Sequence, residues 1–256
     1  MDLGIKGKRA LIGGGTRGIG RAVAKALAIE GVNLEIVARH NSEDVAKDLV
    51  NKYGIEARGH NVDLSKAADV ESLKEKVGDV DMLFINTGGP KPGEIEDLKD
   101  EDWLSACELT LMSAVRLINA FLDPMLRKGW GRVVASTSIS VFEPIPRLLL
   151  SNSIRMSVEG LMKSLSVEHA SDGVTFNCVA PGYTLTERVK QLFEDTAKAR
   201  GISFEEVEKS IAEKTDVKRL AQPEEVANAV AFLFSEKASY ITGVTLRVDG
   251  GYVKSM

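Results

Sequence analysis

Lys8-Arg9-Ala10-Leu11-Ile12-Gly13-Gly14-Gly15-Thr16-Arg17-Gly18-Ile19-Gly20 is the stretch that decides the fold. A short apolar run at 10–13 hands over to glycines, and a helical pattern follows at 18–30. Gly14, Gly18 and Gly20 each have a physical reason. A tight turn needs positive φ, a phosphate needs close backbone approach, and the new helix must pack against its strand. The helix N-terminus then presents unpaired N–H groups and the positive end of its dipole to an anion. A glycine pattern alone is weak. Placed between a strand and a helix, with a second strand ending before residue 40, it predicts a dinucleotide-phosphate site.

Outward from this stretch, apolar runs alternate with helical patterns. Strands are expected at 10–13, 33–38, 56–61, 82–86, 132–136, 175–179 and 245–248. Helices are expected at 18–30, 42–53, 66–76, 101–127, 152–171 and 223–234. Several strands are dense in Val, Ile and Leu without alternation, as both-face burial in a parallel sheet requires. The expected fold is α/β: a doubly wound, seven-stranded parallel sheet of Rossmann type with helices on both faces. One domain, 1–256, is expected, because no linker or repeat divides the chain. The segment 184–217 breaks the rhythm and reads as two short polar helices. Gly201 ends the first, and Ser203 with Glu206 forms a capping box for the second. This excursion is expected to form a helical lid.

The 256-residue chain is long enough to bury roughly 75% of its unfolded surface without staples. A net charge of -4 argues against nucleic acid or an anionic membrane as partner. No apolar run approaches the roughly 20 residues of a membrane span, and the N-terminal residues lack an export signal. Cys107 and Cys178, both in apolar elements, read as buried reduced thiols. A cytoplasmic protein is expected, with no metal site.

Further landmarks recur along the chain. Asp63 follows the third strand, Asn86-Thr87-Gly88-Gly89 the fourth and Ser138 the fifth. Pro181-Gly182 with Thr186 follows the sixth. Tyr240-Ile241-Thr242-Gly243 and Asp249-Gly250-Gly251 close the chain. With the glycine loop, these residues resemble the short-chain dehydrogenase/reductase family over essentially the whole chain. The layout is similar to that of 3-oxoacyl-acyl-carrier-protein reductases and sugar dehydrogenases. The resemblance implies hydride transfer between a nicotinamide cofactor and a small carbonyl or alcohol substrate, by a homotetramer. It implies a cofactor site of Gly14, Thr16, Arg17, Gly18, Ile19, Gly20, Arg39, Asp63, Leu64, Asn86, Gly88, Arg155, Pro181, Gly182, Thr184 and Thr186. Asp63 and Leu64 should border the adenine, or Asp63 could simply cap the next helix. Cofactor choice follows from charge. The second strand ends in Ala38-Arg39-His40-Asn41, with no carboxylate for a ribose hydroxyl, and Arg39 can pair with a 2′-phosphate. Arg17 adds a second cation, so NADP(H) is expected over NAD(H).

In that family a tyrosine passes the proton, a lysine one helical turn later supports it, a serine orients the carbonyl and an asparagine completes the proton path. Ser138 matches the serine. Counted along the same pattern, the tyrosine position holds Ser151, the lysine position Arg155 and the asparagine position Thr110. The expected catalytic set is therefore Ser138, Ser151 and Arg155. An aliphatic hydroxyl is a far weaker acid than a phenol. A guanidinium stays charged to above about pH 12 but can hold ribose hydroxyls and a developing alkoxide. Losing a general acid costs about 10²–10⁴-fold. Tyr183 and Lys163 are alternative donors, with an aromatic pocket wall and a helix-end lysine as the plainer readings. His40, His60 and His169 are not obvious donors. Leu148-Leu149-Leu150, after a stiff loop bearing Glu143 and Arg147, is either a substrate wall or a packed helix start. Three readings follow: an NADP(H)-dependent oxidoreductase with an atypical proton donor, a non-catalytic nucleotide-binding sensor or partner subunit, and an enzyme for dehydration or isomerisation.

Overall fold

The computed structural model describes residues 2–255. Seven strands form one parallel sheet: β1 (Arg9–Gly13), β2 (Asn33–Ala38), β3 (Ala57–Asn61), β4 (Met82–Ile85), β5 (Gly131–Ser136), β6 (Val174–Pro181) and β7 (Thr245–Val248). Their order is β3-β2-β1-β4-β5-β6-β7. The expected doubly wound Rossmann-type sheet is present. Chain direction across the sheet reverses between β1 and β4, which opens a crevice at the carboxyl ends of the strands. Gly13, Ile85, Ser136 and Pro181 end the four strands that border it.

The helices are α1 (Gly18–Ile29), α2 (Ser42–Tyr53), α3 (Ala67–Val77), α4 (Asp100–Ala106), α5 (Ser113–Lys128), α6 (Leu149–Glu168), α7 (Glu187–Arg200), α8 (Phe204–Lys214) and α9 (Pro223–Phe234). Each sheet face has its own core. Val23 and Leu27 of α1, Leu49 of α2 and Val230 of α9 pack on one side. Leu73 of α3, Leu117 and Phe121 of α5 and Met162 of α6 pack on the other. Phe84 and Phe121 are fully buried, and burial of such a side chain contributes about 1.5–3 kcal/mol.

Three expectations change. The 101–127 helix is not uniform: a π-helical segment, Cys107–Met112, separates α4 from α5. The combined run Asp100–Lys128 is long and apolar enough, by length and composition, to cross a membrane. Its apolar face instead covers the sheet through Leu117, Ile118, Phe121 and Met125, so it is a core helix. Helix α6 begins at Leu149, not 152, because Leu150 is fully buried against Ala106 and Ile154 and draws the chain into the helix. Finally, Cys178 is buried but Cys107 only partly so.

Segment 184–217 carries α7 and α8 over a small core of its own, with Phe193 and Val207 at its centre. Gly201 ends α7 at φ 65°. Ser203 Oγ accepts from Glu206 N at 3.1 Å, and Glu206 Oε2 accepts from Ser203 N at 2.8 Å, completing the expected capping box.

Candidate active site

The loop between β1 and α1 is shaped by contacts that leave no room for side chains. Gly14 sits at φ 61°, and a Cβ there would lie 2.6 Å from Asn86 Nδ2. A Cβ on Gly20 would collide with Gly14 O and stand 2.7 Å from the Gly14 carbonyl carbon. Asn86 Nδ2 donates to Gly13 O at 3.1 Å, tying the end of β4 to the glycine loop. Helix α1 has Arg17 at its N-cap in extended conformation and no side-chain cap. Its first N–H groups are therefore open to an anion. Thr16, Gly18 and Ile19 are half-buried on this surface, and Arg17 is exposed.

On the next strand ends stand Arg39, exposed beyond β2, and Asp63 beyond β3. Burial works to raise the Asp63 pKa. Hydrogen bonds from Ser65 Oγ (2.7 Å) and Ser65 N (3.1 Å), with the charges of Arg39 and Lys66, more than offset it and hold the carboxylate low. Neither Asp63 nor Ser65 caps α3, whose N-cap is Lys66. Leu64 is buried in the core beside α3. Gly88 faces open space.

Beyond β6, Pro181 pairs in register with Val248, and Gly182 packs closely on Asp249. Thr184 is buried, with its hydroxyl donating to Gly182 O at 3.1 Å. Thr186 caps α7, accepting from Val189 N at 3.3 Å. Its methyl group lies 3.1 Å from where a Gly18 Cβ would be, so the glycine loop and the start of α7 touch.

Ser138, Ser151 and Arg155 occupy the β5–α6 side of the crevice. Ser138 follows β5 with its Oγ accepting from Ser140 N at 3.1 Å. Ser151 and Arg155 lie one turn apart on α6, and Arg155 Nε donates to Ser151 Oγ at 3.1 Å. Arg155 Nη1 donates to Ser136 O at the end of β5, 2.8 Å away. The residue as a whole keeps some surface, but its guanidinium is enclosed. Burial first, and the nearby Arg188 second, lower its pKa to about 10. That corrects the expectation of an unperturbed guanidinium, while leaving it charged at neutral pH. Thr110 lies in the π-helical segment, a feature common at functional sites, and its buried Oγ1 has no hydrogen-bond partner.

The alternative donors are engaged elsewhere. Tyr183 packs with tilted rings against Tyr252 at 5.4 Å and Phe193 at 5.9 Å between centroids. Burial, then Tyr252, push its phenol pKa up, so it holds its proton tightly. Lys163 Nζ donates to Gly243 O at 3.2 Å. It lines a cavity of about 330 Å³ with Met156, Glu159 and Cys178, lined by α6, β6 and β7 rather than by the crevice residues. His60 is bonded to Glu35 at 2.7 Å and His169 to Asp172 at 2.9 Å. No cluster of metal-ligating side chains occurs among the described residues.

One crevice residue escaped the sequence reading. Arg188, in the first turn of α7, donates from Nη2 to Pro90 O at 3.1 Å. Its guanidinium lies over Gly89, where a Cβ would stand 2.6 Å from Arg188 Cζ. The available signals were the second glycine of Gly88-Gly89 and the lack of any acid at helical spacing from Arg188.

Comparison with known proteins agrees with the fold. The family model for enoyl-(acyl carrier protein) reductase matches residues 14–253. The chain is 36% identical to the uncharacterized oxidoreductase YvrD of Bacillus subtilis, with all of both chains covered. It is 34% identical to the 3-oxoacyl-[acyl-carrier-protein] reductase FabG of Escherichia coli, covering 97% of this chain and 98% of that one. The structure of L-sorbose reductase from Gluconobacter frateurii, complexed with NADPH and L-sorbose, superposes with a TM-score of 0.95 at 33% identity over all of both chains. With the sheet order in place beside these matches, this chain belongs to the short-chain dehydrogenase/reductase family of oxidoreductases.

Proposed function

We propose that the protein transfers hydride between NADP(H) and a small carbonyl or alcohol substrate, with Ser138, Ser151 and Arg155 in place of the usual proton-passing set. The carrying observation is the Arg155 fork, which joins Ser151 Oγ to the end of β5. The residues present fit the dinucleotide. Gly14 and Gly20 leave a cradle that a Cβ would fill, α1 is uncapped, and Arg39 makes no ion pair among the described residues. Arg39 beside Asp63, with no carboxylate on the end of β2, supports selection of a 2′-phosphate. The L-sorbose reductase relative was crystallised with NADPH. Gly18, Ile19 and Thr186 would hold the diphosphate and nicotinamide, Asn86 and Gly88 would flank the ribose, Arg39, Asp63 and Leu64 would meet the adenosine half, and Arg17 would stand between the 2′-phosphate and the diphosphate. Thr16, Pro181, Gly182 and Thr184 shape the walls.

Bound NADPH would supply the hydride. The Ser138 hydroxyl is free to orient a carbonyl oxygen, since its acceptor role toward Ser140 N leaves its proton available. Ser151 Oγ, already accepting from Arg155 Nε, can donate its own proton to that oxygen. The fixed charge of Arg155 stabilises the oxyanion as it forms. Ser151 would recover its proton from solvent. The rate should be modest, because a serine hydroxyl is a weak acid.

A second reading, a nucleotide-binding sensor or partner subunit without turnover, draws on the same contact: Ser151 and Arg155 partly satisfy one another. A homotetramer fits the apolar surface left on Leu104, Met156, Val167 and Leu246, and sedimentation tests it. Two free cysteines fit a reducing cytoplasm. The deciding experiment measures NADPH oxidation over a ketone panel for the native chain and for Ser151→Tyr with Arg155→Lys. NADPH oxidation by the native chain that rises in the double variant supports the reading, and activity that is created only in the double variant supports the sensor instead. A double variant that folds, binds NADPH and is inert on every ketone refutes it.

A further inference from the structure

Three arginines line the crevice with no carboxylate to balance them. Arg17 stands at the N-cap of α1, Arg188 in the first turn of α7, and Arg155 on α6. None makes an ion pair among the described residues. Elsewhere Arg9, Arg21, Arg58, Arg116, Arg127 and Arg219 do, while Arg39, Arg132, Arg147, Arg200 and Arg247 do not, so it is the clustering of the three rather than their lack of partners that sets them apart. The three are spatially linked. The loop bearing Arg17 touches Thr186, two residues before Arg188. Arg188 reaches across to Pro90 O, beyond β4, and Arg155 reaches Ser136 O, at the end of adjacent β5. Each charge disfavours the next: Arg17 lowers the Arg188 pKa and Arg188 lowers that of Arg155, in each case behind burial. Arg188 is nonetheless exposed as a residue, on the open side of the crevice.

Like charges held together without counter-charge raise the energy of the empty site, and a bound anion relieves it. The position of Arg188 is built rather than incidental. Gly89 has no side chain where its guanidinium lies, so the planar fork rests on bare backbone with Nη2 fixed to Pro90 O. A guanidinium fixed at one nitrogen still offers its remaining donors to a planar or tetrahedral oxyanion.

We propose that Arg188, with Arg17 and Arg155, forms an oxyanion clamp across the crevice. The ligand chemistry is a phosphate or carboxylate group, supplied either by the dinucleotide diphosphate or by an acidic substrate. The proposal rests on the reading of the crevice as a dinucleotide site, and its test separates the two. The full chain is titrated calorimetrically with NADPH, with inorganic pyrophosphate, and with 2-oxobutanoate at saturating NADP⁺. The native protein is compared with Arg188→Met, Arg188→Lys and Gly89→Ala. The last displaces the guanidinium without removing it. Losing a charge-assisted bidentate contact weakens binding roughly tenfold or more. If Arg188→Met weakens pyrophosphate and NADPH by that factor, with Arg188→Lys intermediate and Gly89→Ala similar to Met, the clamp holds the diphosphate. If only 2-oxobutanoate weakens, it holds a substrate carboxylate. If every ligand binds Arg188→Met within about twofold of the native protein, the clamp is refuted. A native protein that binds neither pyrophosphate nor 2-oxobutanoate refutes it as well. Arg188-dependent pyrophosphate binding without NADPH binding keeps the clamp and overturns the dinucleotide reading.

Discussion

Replacing Gly20 by alanine separates binding from folding in a way the structure makes quantitative. The added Cβ meets backbone, not a flexible side chain: it collides with Gly14 O, lies 2.7 Å from the Gly14 carbonyl carbon and 3.0 Å from Asn86 Nδ2. Gly14 has little freedom to withdraw, because its positive φ makes the turn and Asn86 holds Gly13 O on its other side. Overpacking of this kind costs about 1–3 kcal/mol. Gly20 also lies in the first turn of α1, where alanine recovers about 1 kcal/mol of helix propensity. The net loss of stability is about 0–2 kcal/mol. At 2–4 °C per kcal/mol for a chain of this size, the melting temperature falls by about 0–8 °C.

On the proposed function binding suffers more, because the loop that relaxes is the one that would meet the phosphates. Losing a charged hydrogen bond costs about 1.5–3 kcal/mol, or roughly 10- to 150-fold in Kd. The assay is NADPH titration by nicotinamide fluorescence, with a thermal melt of the same sample. A folded Gly20→Ala protein that binds NADPH within about twofold of the native Kd refutes the reasoning. It would mean that the close approach of Gly20 to Gly14 does not shape the phosphate site.

Other consequences are equally direct. Arg39→Ala should weaken NADPH roughly tenfold or more and leave NADH unchanged, so equal loss for both nucleotides counts against a 2′-phosphate contact. Hydrogen bonds from Arg219 (2.7 Å) and from Gln222 N (2.8 Å) hold Glu225 at a pKa of about 2, below its usual 4.5. A depressed carboxylate stabilises the fold above its unfolded pKa and loses that effect as pH falls through the folded one. Glu225→Gln should therefore melt below the native protein at pH 7, with the gap closing between 4.5 and about 2. A gap independent of pH would assign the effect to the helix cap rather than to charge. Thr110→Val removes a buried hydroxyl that has no partner. It should raise stability by about 1 kcal/mol, or roughly 2–4 °C in a thermal melt; a lower melting temperature would show that the hydroxyl is satisfied.

Much of the fold is legible because its signals are local. Strands β2 and β7 and helices α2 and α9 have the bounds that periodicity and flanking glycine, proline and asparagine predict. The capping box at Ser203 and Glu206 is a reciprocal contact four residues long, so the sequence states it outright. The π-helical segment at Cys107–Met112 leaves no compositional trace, since it inserts a residue into a ladder without changing the apolar face. The early start of α6 at Leu149 depends on Leu150 finding Ala106 and Ile154, a contact between distant parts of the chain. The crevice divides in the same way. The glycine loop and the strand-end motifs are visible as residue types. The engagement of Arg155 with Ser136 O, and of Arg188 with Pro90 O, is made only by tertiary folding.

Ser151 and Arg155 are better understood as one unit than as two. A lysine ammonium is a point charge on a flexible stem, whereas a guanidinium needs several acceptors at fixed angles. Arg155 has two: Ser136 O through Nη1, and Ser151 Oγ through Nε. The second exists only because residue 151 is short. Ser151 is buried and Arg155 enclosed, so a phenol introduced at 151 alone must compete with the guanidinium for the same space. Lysine introduced at 155 alone replaces the two-pronged fork with a single ammonium on a shorter side chain. Residues in direct contact with shared partners couple by about 0.5–3 kcal/mol. Each single replacement should therefore be worse, in stability and in nucleotide affinity, than the double one. On the proposed reading, the same coupling explains how a dinucleotide frame can persist around Ser151 and Arg155. Arg155 places a positive charge at the mouth of β5 where a bound anion or developing alkoxide would need it, and Ser151 keeps a hydroxyl in its reach, so what the proposed function weakens is the acidity of the proton donor and not the architecture that presents it.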